Sequence, residues 1–325
     1  MRATQAVVEA HGGPEAIGWQ EVELPAPGLG EALVRTTAVG LNMIDTYHRR
    51  GIYPLPTPYG LGLEFAGVVE AVGPGVDGVR TGMRVGGFRP PPGAYATARI
   101  VAAEALVPLP DDVDEETAAA LLLKGCTAEF LVERCAEVEA GWPVLVHAAA
   151  GATGQLLVRW LRAIGARPIG TVSSAEKEAA ARDAGAEAVI RYDREDVATR
   201  VRELTGGAGV PVVLDGVGKA TWEASLGSLA RRGLLVSFGN ASAPVGAVDL
   251  GVLARSGSLF TTRPTLFDYY ATPEEARAGV ERVWAMWRSG ALPVAVGQRY
   301  RLEQAAEAHR ALEARETVGA TVLLP

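Results

Sequence analysis

The sequence predicts a two-part α/β protein: a compact antiparallel barrel or sandwich, followed by a doubly wound parallel sheet of six strands. Three observations predict it. The first third consists of short apolar or alternating runs separated by Pro- and Gly-rich turns. From Asp114 onward, strand-like and helix-like segments alternate, and the strand runs are apolar throughout, as in a sheet covered on both faces. At the first of those strands, the small-residue turn Ala149-x-Gly151-x-x-Gly154 leads into a helix.

The barrel strands are expected at Ala3–Val8, Trp19–Leu24, Glu31–Val39, Glu64–Val72 and Tyr95–Ala102. Turn clusters at Pro25–Gly28, Pro54–Pro58, Gly73–Gly75 and Pro90–Gly93 set them apart, and a short helix, Leu41–Arg50, interrupts them. Two segments of helical composition follow, Glu115–Leu123 and Thr127–Arg134. The parallel strands are expected at Val144–Ala148, Pro168–Val172, Val189–Ile190, Val210–Asp215, Leu234–Phe238 and Leu259–Thr262. Helices Gln155–Ile164, Ala175–Ala184, Asp196–Leu204 and Trp222–Leu229 connect them. The tail reads as helix Pro273–Ser289, the run Leu292–Val296, helix Glu303–Ala314 and strand Thr321–Leu324. It is too short to stand alone, so it is expected to pack back onto the barrel. The expected domains are therefore 1–122 with 263–325, and 123–262.

Composition narrows the classes of function. In 325 residues, 31 basic side chains face 38 acidic ones, a net charge of −7. With no basic run, this disfavours nucleic-acid and anionic-membrane partners. A hydrophobic content of 48% supports a full core and excludes bulk disorder. No uncharged run approaches the roughly 20 residues that span a bilayer. The N-terminus carries no export signature, so a cytoplasmic protein is expected. Cys126 and Cys135 are the only cysteines, which excludes a disulfide scaffold and a four-cysteine zinc site.

The turn after Val144–Ala148 is the strongest chemical signal. Gly151 allows backbone to approach a pyrophosphate, Gly154 allows close helix–strand packing, and the helix N-terminus receives the negative charge. This is a variant of the Rossmann dinucleotide fingerprint, with Ala149 in place of its first glycine. The next strand ends in Ser173-Ser174 with Lys177 on the following helix, and no carboxylate stands at the strand end. Hydroxyls and a cation suit a 2′-phosphate, which favours NADPH over NADH. Tyr192, after the third strand, adds a further donor. The plainer reading makes Ser174 a helix N-cap and Lys177 a solvated charge.

Barrel first, nucleotide fold second and a short return to the barrel resembles the medium-chain dehydrogenase/reductase superfamily. Val39–Asp45 and Gly60–Val68 resemble its two N-terminal signatures. Where zinc-dependent alcohol dehydrogenases carry a ligand Cys and a ligand His, this chain has Asn42 and Leu63, and nothing between Val85 and Leu109 matches the four-cysteine lobe. Four stretches, His147–Gly154, Leu123–Thr127, Arg231–Asn240 and Thr262–Pro264, resemble the zinc-independent NADPH:quinone oxidoreductase (zeta-crystallin-like) group. The group's usual Ala-Gly-Gly-Val-Gly loop is Ala-Gly-Ala-Thr-Gly here.

The resemblance implies a GroES-like catalytic domain, a Rossmann NADPH-binding domain and a homodimer joined through the edge strand Leu259–Thr262. It implies that Gly151, Ala152, Thr153 and Gly154 cradle the pyrophosphate, and that Ser173, Lys177, Tyr192 and Arg315 face the adenosine phosphate. Lys124, Thr127, Phe238, Gly239 and Asn240 would surround the nicotinamide half, with Asn42, Tyr47 and Tyr53 on the substrate side. Plainer roles stand beside these: Asn42 as a helix cap, and the tyrosines as half-buried barrel residues. Cys126 is expected to be a packed thiol, His147 a strand-end residue and Asp45 a short-helix or surface acid. The implied reaction is hydride transfer from NADPH to a quinone, whose product oxyanion needs only hydrogen-bond donors. Reduction of an activated C=C bond by the same fold is the nearest alternative, and an NADPH-binding scaffold with little turnover is the second.

Overall fold

The computed structural model describes all 325 residues. The chain divides into two compact units, Met1–Leu123 with Val294–Pro325, and Lys124–Pro293. No helix is long and apolar enough to cross a membrane.

The first unit contains β1 (Arg2–Val8), β2 (Gly18–Glu23), β3 (Glu31–Leu41), α1 (Met43–Arg49), β4 (Tyr59–Gly60), β5 (Glu64–Val72), β6 (Arg84–Gly87), β7 (Ala98–Ala102) and β8 (Val107–Pro108). The division into units falls within α2 (Glu115–Glu129). The second unit adds β9 (Pro143–Val146), α3 (Ala152–Ala163), β10 (Arg167–Val172), α4 (Ala175–Asp183), β11 (Ala188–Arg191), α5 (Val197–Leu204) and β12 (Val210–Asp215). It continues through α6 (Trp222–Ser228), β13 (Leu229–Ser237), α7 (Gly251–Arg255), β14 (Phe260–Thr262), α8 (Leu266–Tyr269) and α9 (Pro273–Arg288). The chain then re-enters the first unit with β15 (Val296–Arg301), α10 (Ala305–Glu313) and β16 (Ala320–Leu324).

In the first unit, β2-β1-β4 form a small sheet and β15-β16-β3-β5-β6-β8 a larger one, with β7 paired to β3. The long strands β3 and β5 pair antiparallel, and their inward side chains Val34, Val39, Phe65 and Val69 join Leu61, Tyr95, Leu302 and Leu323 in one buried core. The antiparallel pairing expected of a barrel or sandwich from the alternating runs is what forms, with β15 and β16 the one parallel pair. Strands β4, β6 and β8 are too short, and too rich in Gly and Pro, to show a period.

In the second unit, six parallel strands run in the order β11-β10-β9-β12-β13-β14, the doubly wound arrangement whose chain reversal places a ligand site beyond the strand ends. The core beside this sheet is aliphatic: Leu145, Ile169, Ile190, Val213, Leu235 and the helix residues Val201 and Leu226.

Four expectations are corrected. The two expected helical segments after Glu115 are one helix, because burial of Leu121, Leu122, Cys126 and Ala128 overrides the weak helix propensity of Gly125. It continues into a π-helical turn, Phe130–Cys135. The segment 263–293, expected with the barrel, belongs to the parallel-sheet unit: Tyr270 Oη donates to Glu129 at 2.7 Å, and Arg282 pairs with Glu133 at 2.7 Å. The strand expected at Leu292–Val296 lies at Val296–Arg301 and pairs parallel to β16, its side chains alternating between half-buried and exposed. Asp45, expected as a short-helix or surface acid, lies in the short helix α1 but is fully buried there.

Candidate functional site

Strand β9 stops at Val146, and the backbone continues as His147 N donates to Leu214 O (3.1 Å) and Ala149 N to Thr171 O (3.1 Å). Between them Ala148 adopts φ +52°, a left-handed conformation that non-glycine residues rarely hold. Gly151 N then donates to Ala148 O at 3.0 Å, and Gly151 becomes the N-cap of α3 without a side chain to satisfy the first turn. The first-turn N–H groups, those of Ala152, Thr153 and Gly154, have no intrahelical acceptor and carry the positive end of the helix dipole. Glycine is required at 154, because a Cβ there would stand 2.2 Å from Ala148 O. Gln155 braces the turn through Nε2, donating to Ala150 O at 2.8 Å. This is a cradle for a phosphate, and the pyrophosphate of a dinucleotide fits its chemistry.

At the end of β10, Ser173 is half-buried and Ser174 is the N-cap of α4, accepting from Lys177 N at 3.3 Å. The plainer reading of Ser174 as a helix N-cap holds. Tyr192 follows β11 and is 43% exposed; its N–H donates to Val172 O at 3.2 Å, which brings it beside the same strand end. The backbones of Ser173 and Tyr192 thus both lie at the end of β10, and Lys177 is in the first turn of the helix that follows. Arg315 is exposed in the barrel unit, just after α10.

Of the residues expected around the nicotinamide, Lys124 is buried and Thr127 half-buried on α2. Phe238, Gly239 and Asn240 follow β13: Phe238 N donates to Asp215 O at 2.8 Å, and a Cβ at 239 would lie 2.2 Å from Gly216 O.

In the barrel unit, Asn42 is the N-cap of α1, and Asp45 Oδ2 accepts from its N–H at 2.9 Å. The Asn42 amide instead donates to Glu64 Oε2 (2.9 Å) and Gly40 O (3.1 Å). Glu64, missed in the sequence, is fully buried and takes Leu123 N on its other oxygen at 2.7 Å. Tyr47 is buried and Tyr53 half-buried, their rings edge-to-face at 5.2 Å. Beneath α1, Tyr95 Oη meets Asp45 Oδ2 at 3.1 Å and His309 Nε2 at 2.9 Å, and buried Arg49 pairs with Glu313 at 2.7 Å. Burial and the Arg49 charge push His309 down to about 3, so its imidazole is neutral. Burial, with the adjacent Asp45 carboxylate, raises the Tyr95 phenol well above its ordinary value.

No group of three or more His, Cys, Asp or Glu side chains is placed to hold a metal ion. Asn42 and Leu63 supply no thiolate or imidazole, so the donor set does not fit a catalytic zinc.

A barrel unit followed by a parallel sheet with a phosphate cradle at its first strand–helix turn defines a medium-chain dehydrogenase/reductase. Residues 28–111 match the alcohol dehydrogenase GroES-like domain family, and residues 152–276 the zinc-binding dehydrogenase family. The chain is 49% identical to a quinone oxidoreductase of Pseudomonas aeruginosa over 97% of its own length and 98% of that protein. A crystal structure of Escherichia coli quinone oxidoreductase complexed with NADPH superposes with a TM-score of 0.97 at 43% identity, covering 99% of this chain and 100% of that one. A 2-haloacrylate reductase of Burkholderia is 43% identical over 98% of both chains. The chain belongs to the quinone oxidoreductase family.

Proposed function

We propose that this protein is an NADPH:quinone oxidoreductase that needs no zinc. The observation that carries the reading is the second unit's cradle: free first-turn N–H groups beside a strand end that offers Ser173, Lys177 and Tyr192 and no carboxylate. Gly151, Ala152, Thr153 and Gly154 hold the pyrophosphate. Ser173, Lys177 and Tyr192 bind the 2′-phosphate, with Arg315 as a further cation. Lys124, Thr127, Phe238, Gly239 and Asn240 bound the nicotinamide half.

NADPH, when bound, supplies the hydride. The chain's own work is to orient the cofactor and acceptor, exclude water and stabilise the oxyanion that hydride addition leaves on a quinone. Tyr47 and Tyr53 are the proposed donors on the acceptor side; Asn42 lines that side without donating, because both its amide protons go to Glu64 Oε2 and Gly40 O. Asn42 is fixed in place by Glu64 and Gly40, and Tyr47 by its place in α1 over the Asp45–Tyr95–His309 network. A delocalised quinone product needs no strong general acid, so solvent completes its protonation.

The similarity to a 2-haloacrylate reductase favours a second reading, reduction of an activated C=C bond. Following NADPH absorbance with a quinone, an enal and no acceptor separates the readings. The first predicts a kcat/KM for the quinone far above that for the enal; the reverse order favours the second. Tight NADPH binding without oxidation would leave a scaffold.

Two further features belong to the same reading. Strand β14 is an edge, paired only with β13, and Phe260 on it is 56% exposed, which suits antiparallel pairing with a second copy in a homodimer. A monomeric mass by light scattering would contradict this. With net charge −7 and only two cysteines, neither disulfide-bonded, the protein is proposed to act in the cytoplasm on a small acceptor, without nucleic acid or membrane.

A further inference from the structure

Four buried polar side chains cross the carboxyl ends of three neighbouring strands. Thr171 on β10, His147 after β9, Asp215 on β12 and Ser225 on α6 are all at most 2% exposed. Thr171 Oγ1 lies 3.0 Å from His147 Nδ1, Ser225 Oγ 3.0 Å from His147 Nε2, and Ser225 Oγ donates to Asp215 Oδ2 at 2.8 Å. Because the serine proton goes to the carboxylate, Nε2 must carry the imidazole proton and donate to Ser225 Oγ. Nδ1 is then the acceptor for Thr171. Every group in the row is satisfied, and all the hydrogen bonds point one way, from β10 to Asp215.

Both ends of the row grip loops of the dinucleotide half. His147 immediately precedes Ala148, the left-handed residue on which the phosphate cradle turns. Such a conformation persists only where its surroundings over-determine it, and the anchored imidazole does this together with the Ala149 N–Thr171 O bond. At the other end, Asp215 Oδ1 accepts from Val217 N (2.8 Å), Gly218 N (3.1 Å) and Thr221 Oγ1 (2.9 Å). The turn it fixes carries the nicotinamide-side loop: Ala241 N donates to Gly216 O at 3.2 Å and Ser242 N to Val217 O at 2.9 Å.

We infer that the row Thr171–His147–Ser225–Asp215 is a positioning device that sets the phosphate cradle and the 238–240 loop in register, so that the pyrophosphate and nicotinamide of one cofactor are met together. Its residues touch neither cofactor nor acceptor and act through the two loops. The inference rests on the NADPH reading above. Burial lowers the His147 pKa, which keeps the imidazole in the neutral form the row requires.

The test uses the full-length protein with Ser225→Ala, which cuts the row at its centre, and Thr171→Val, which cuts it at one end with little change of shape. Dissociation constants are measured for NADPH and for 2′,5′-ADP, which carries the adenosine phosphates and lacks the nicotinamide. Loss of register predicts that each variant raises the ratio Kd(NADPH)/Kd(2′,5′-ADP) by about tenfold, the scale of one buried hydrogen bond left unmade. KM for NADPH should rise while KM for the quinone holds. A merely structural role lowers the melting temperature and leaves the ratio unchanged. An unchanged ratio in both variants, with NADPH still bound by the wild type, overturns this inference alone. A wild type that fails to bind NADPH removes the cofactor reading as well.

Discussion

The side-chain amide of Asn42 donates a 2.9 Å hydrogen bond to Glu64 Oε2, whose partner oxygen is held at 2.7 Å by the backbone N–H of Leu123. Carboxyl oxygens buried this deeply cost free energy unless each meets a donor, and here both do. Asn42→Asp would set two buried carboxylates against each other. We expect a loss of about 3–5 kcal/mol, the range for an uncompensated buried charge, measured by denaturant unfolding. Adding Glu64→Gln to that variant should recover most of it. If the single variant unfolds at the wild-type midpoint, the contact contributes nothing.

The Gly154 position is tested by Gly154→Ala. Its Cβ would meet Ala148 O at 2.2 Å, against rigid backbone rather than a flexible side chain. Overpacking of this kind costs about 1–3 kcal/mol, and the displaced cradle should weaken NADPH binding by at least about tenfold. Titration of cofactor fluorescence reads the binding, and a thermal melt reads the stability. Wild-type affinity in this variant would place the pyrophosphate elsewhere.

Lys177 separates the two nicotinamide cofactors. A charged hydrogen bond to a phosphate contributes about 1.5–3 kcal/mol, so Lys177→Ala should cut the kcat/KM preference for NADPH over NADH by about tenfold or more. NADH kinetics should hardly move. Equal losses with both cofactors would mean that Lys177 does not meet the 2′-phosphate.

Acid sensitivity follows from His309. Its folded pKa is near 3, below the unfolded value of 6.5, so the unfolded chain binds the extra proton first. Stability is therefore full above pH 6.5 and falls as the pH drops toward 3, with a slope approaching about 1.4 kcal/mol per pH unit for one such group. His48 and His147, also lowered by burial, add in the same direction. Between pH 6.5 and 5, before carboxylates titrate, His309→Gln should flatten the slope of unfolding free energy. An unchanged slope would mean that His309 is protonated in the folded protein.

The parallel sheet was legible because its strands are apolar runs of ordinary length between amphipathic helices, and Val210–Asp215 appears with the bounds expected of it. The strand–turn–helix motif was legible for a local reason: both of its glycines lie within the short stretch from Ala149 to Gly154. The supports of the site were not. Arg49 and Glu313 stand 264 residues apart, and His147 meets Ser225 across 78. No period or motif marks a pair of that kind. Strand β13 begins five residues earlier than expected, because the exposed Arg231 and Arg232 interrupt the apolar run that marks a buried strand. Asp45 read as a short-helix or surface acid: its place in the helix was legible, but nothing near it in sequence announces Tyr95 as its buried partner.

The most direct measurement is a single turnover. Protein loaded with one equivalent of NADPH, or of NADH, is mixed rapidly with a quinone, and cofactor oxidation and hydroquinone formation are followed together. The account predicts that NADPH is consumed with one hydroquinone formed per cofactor, and that NADH reacts far more slowly. NADPH that binds and stays reduced in the presence of the quinone, or faster turnover with NADH, would contradict it.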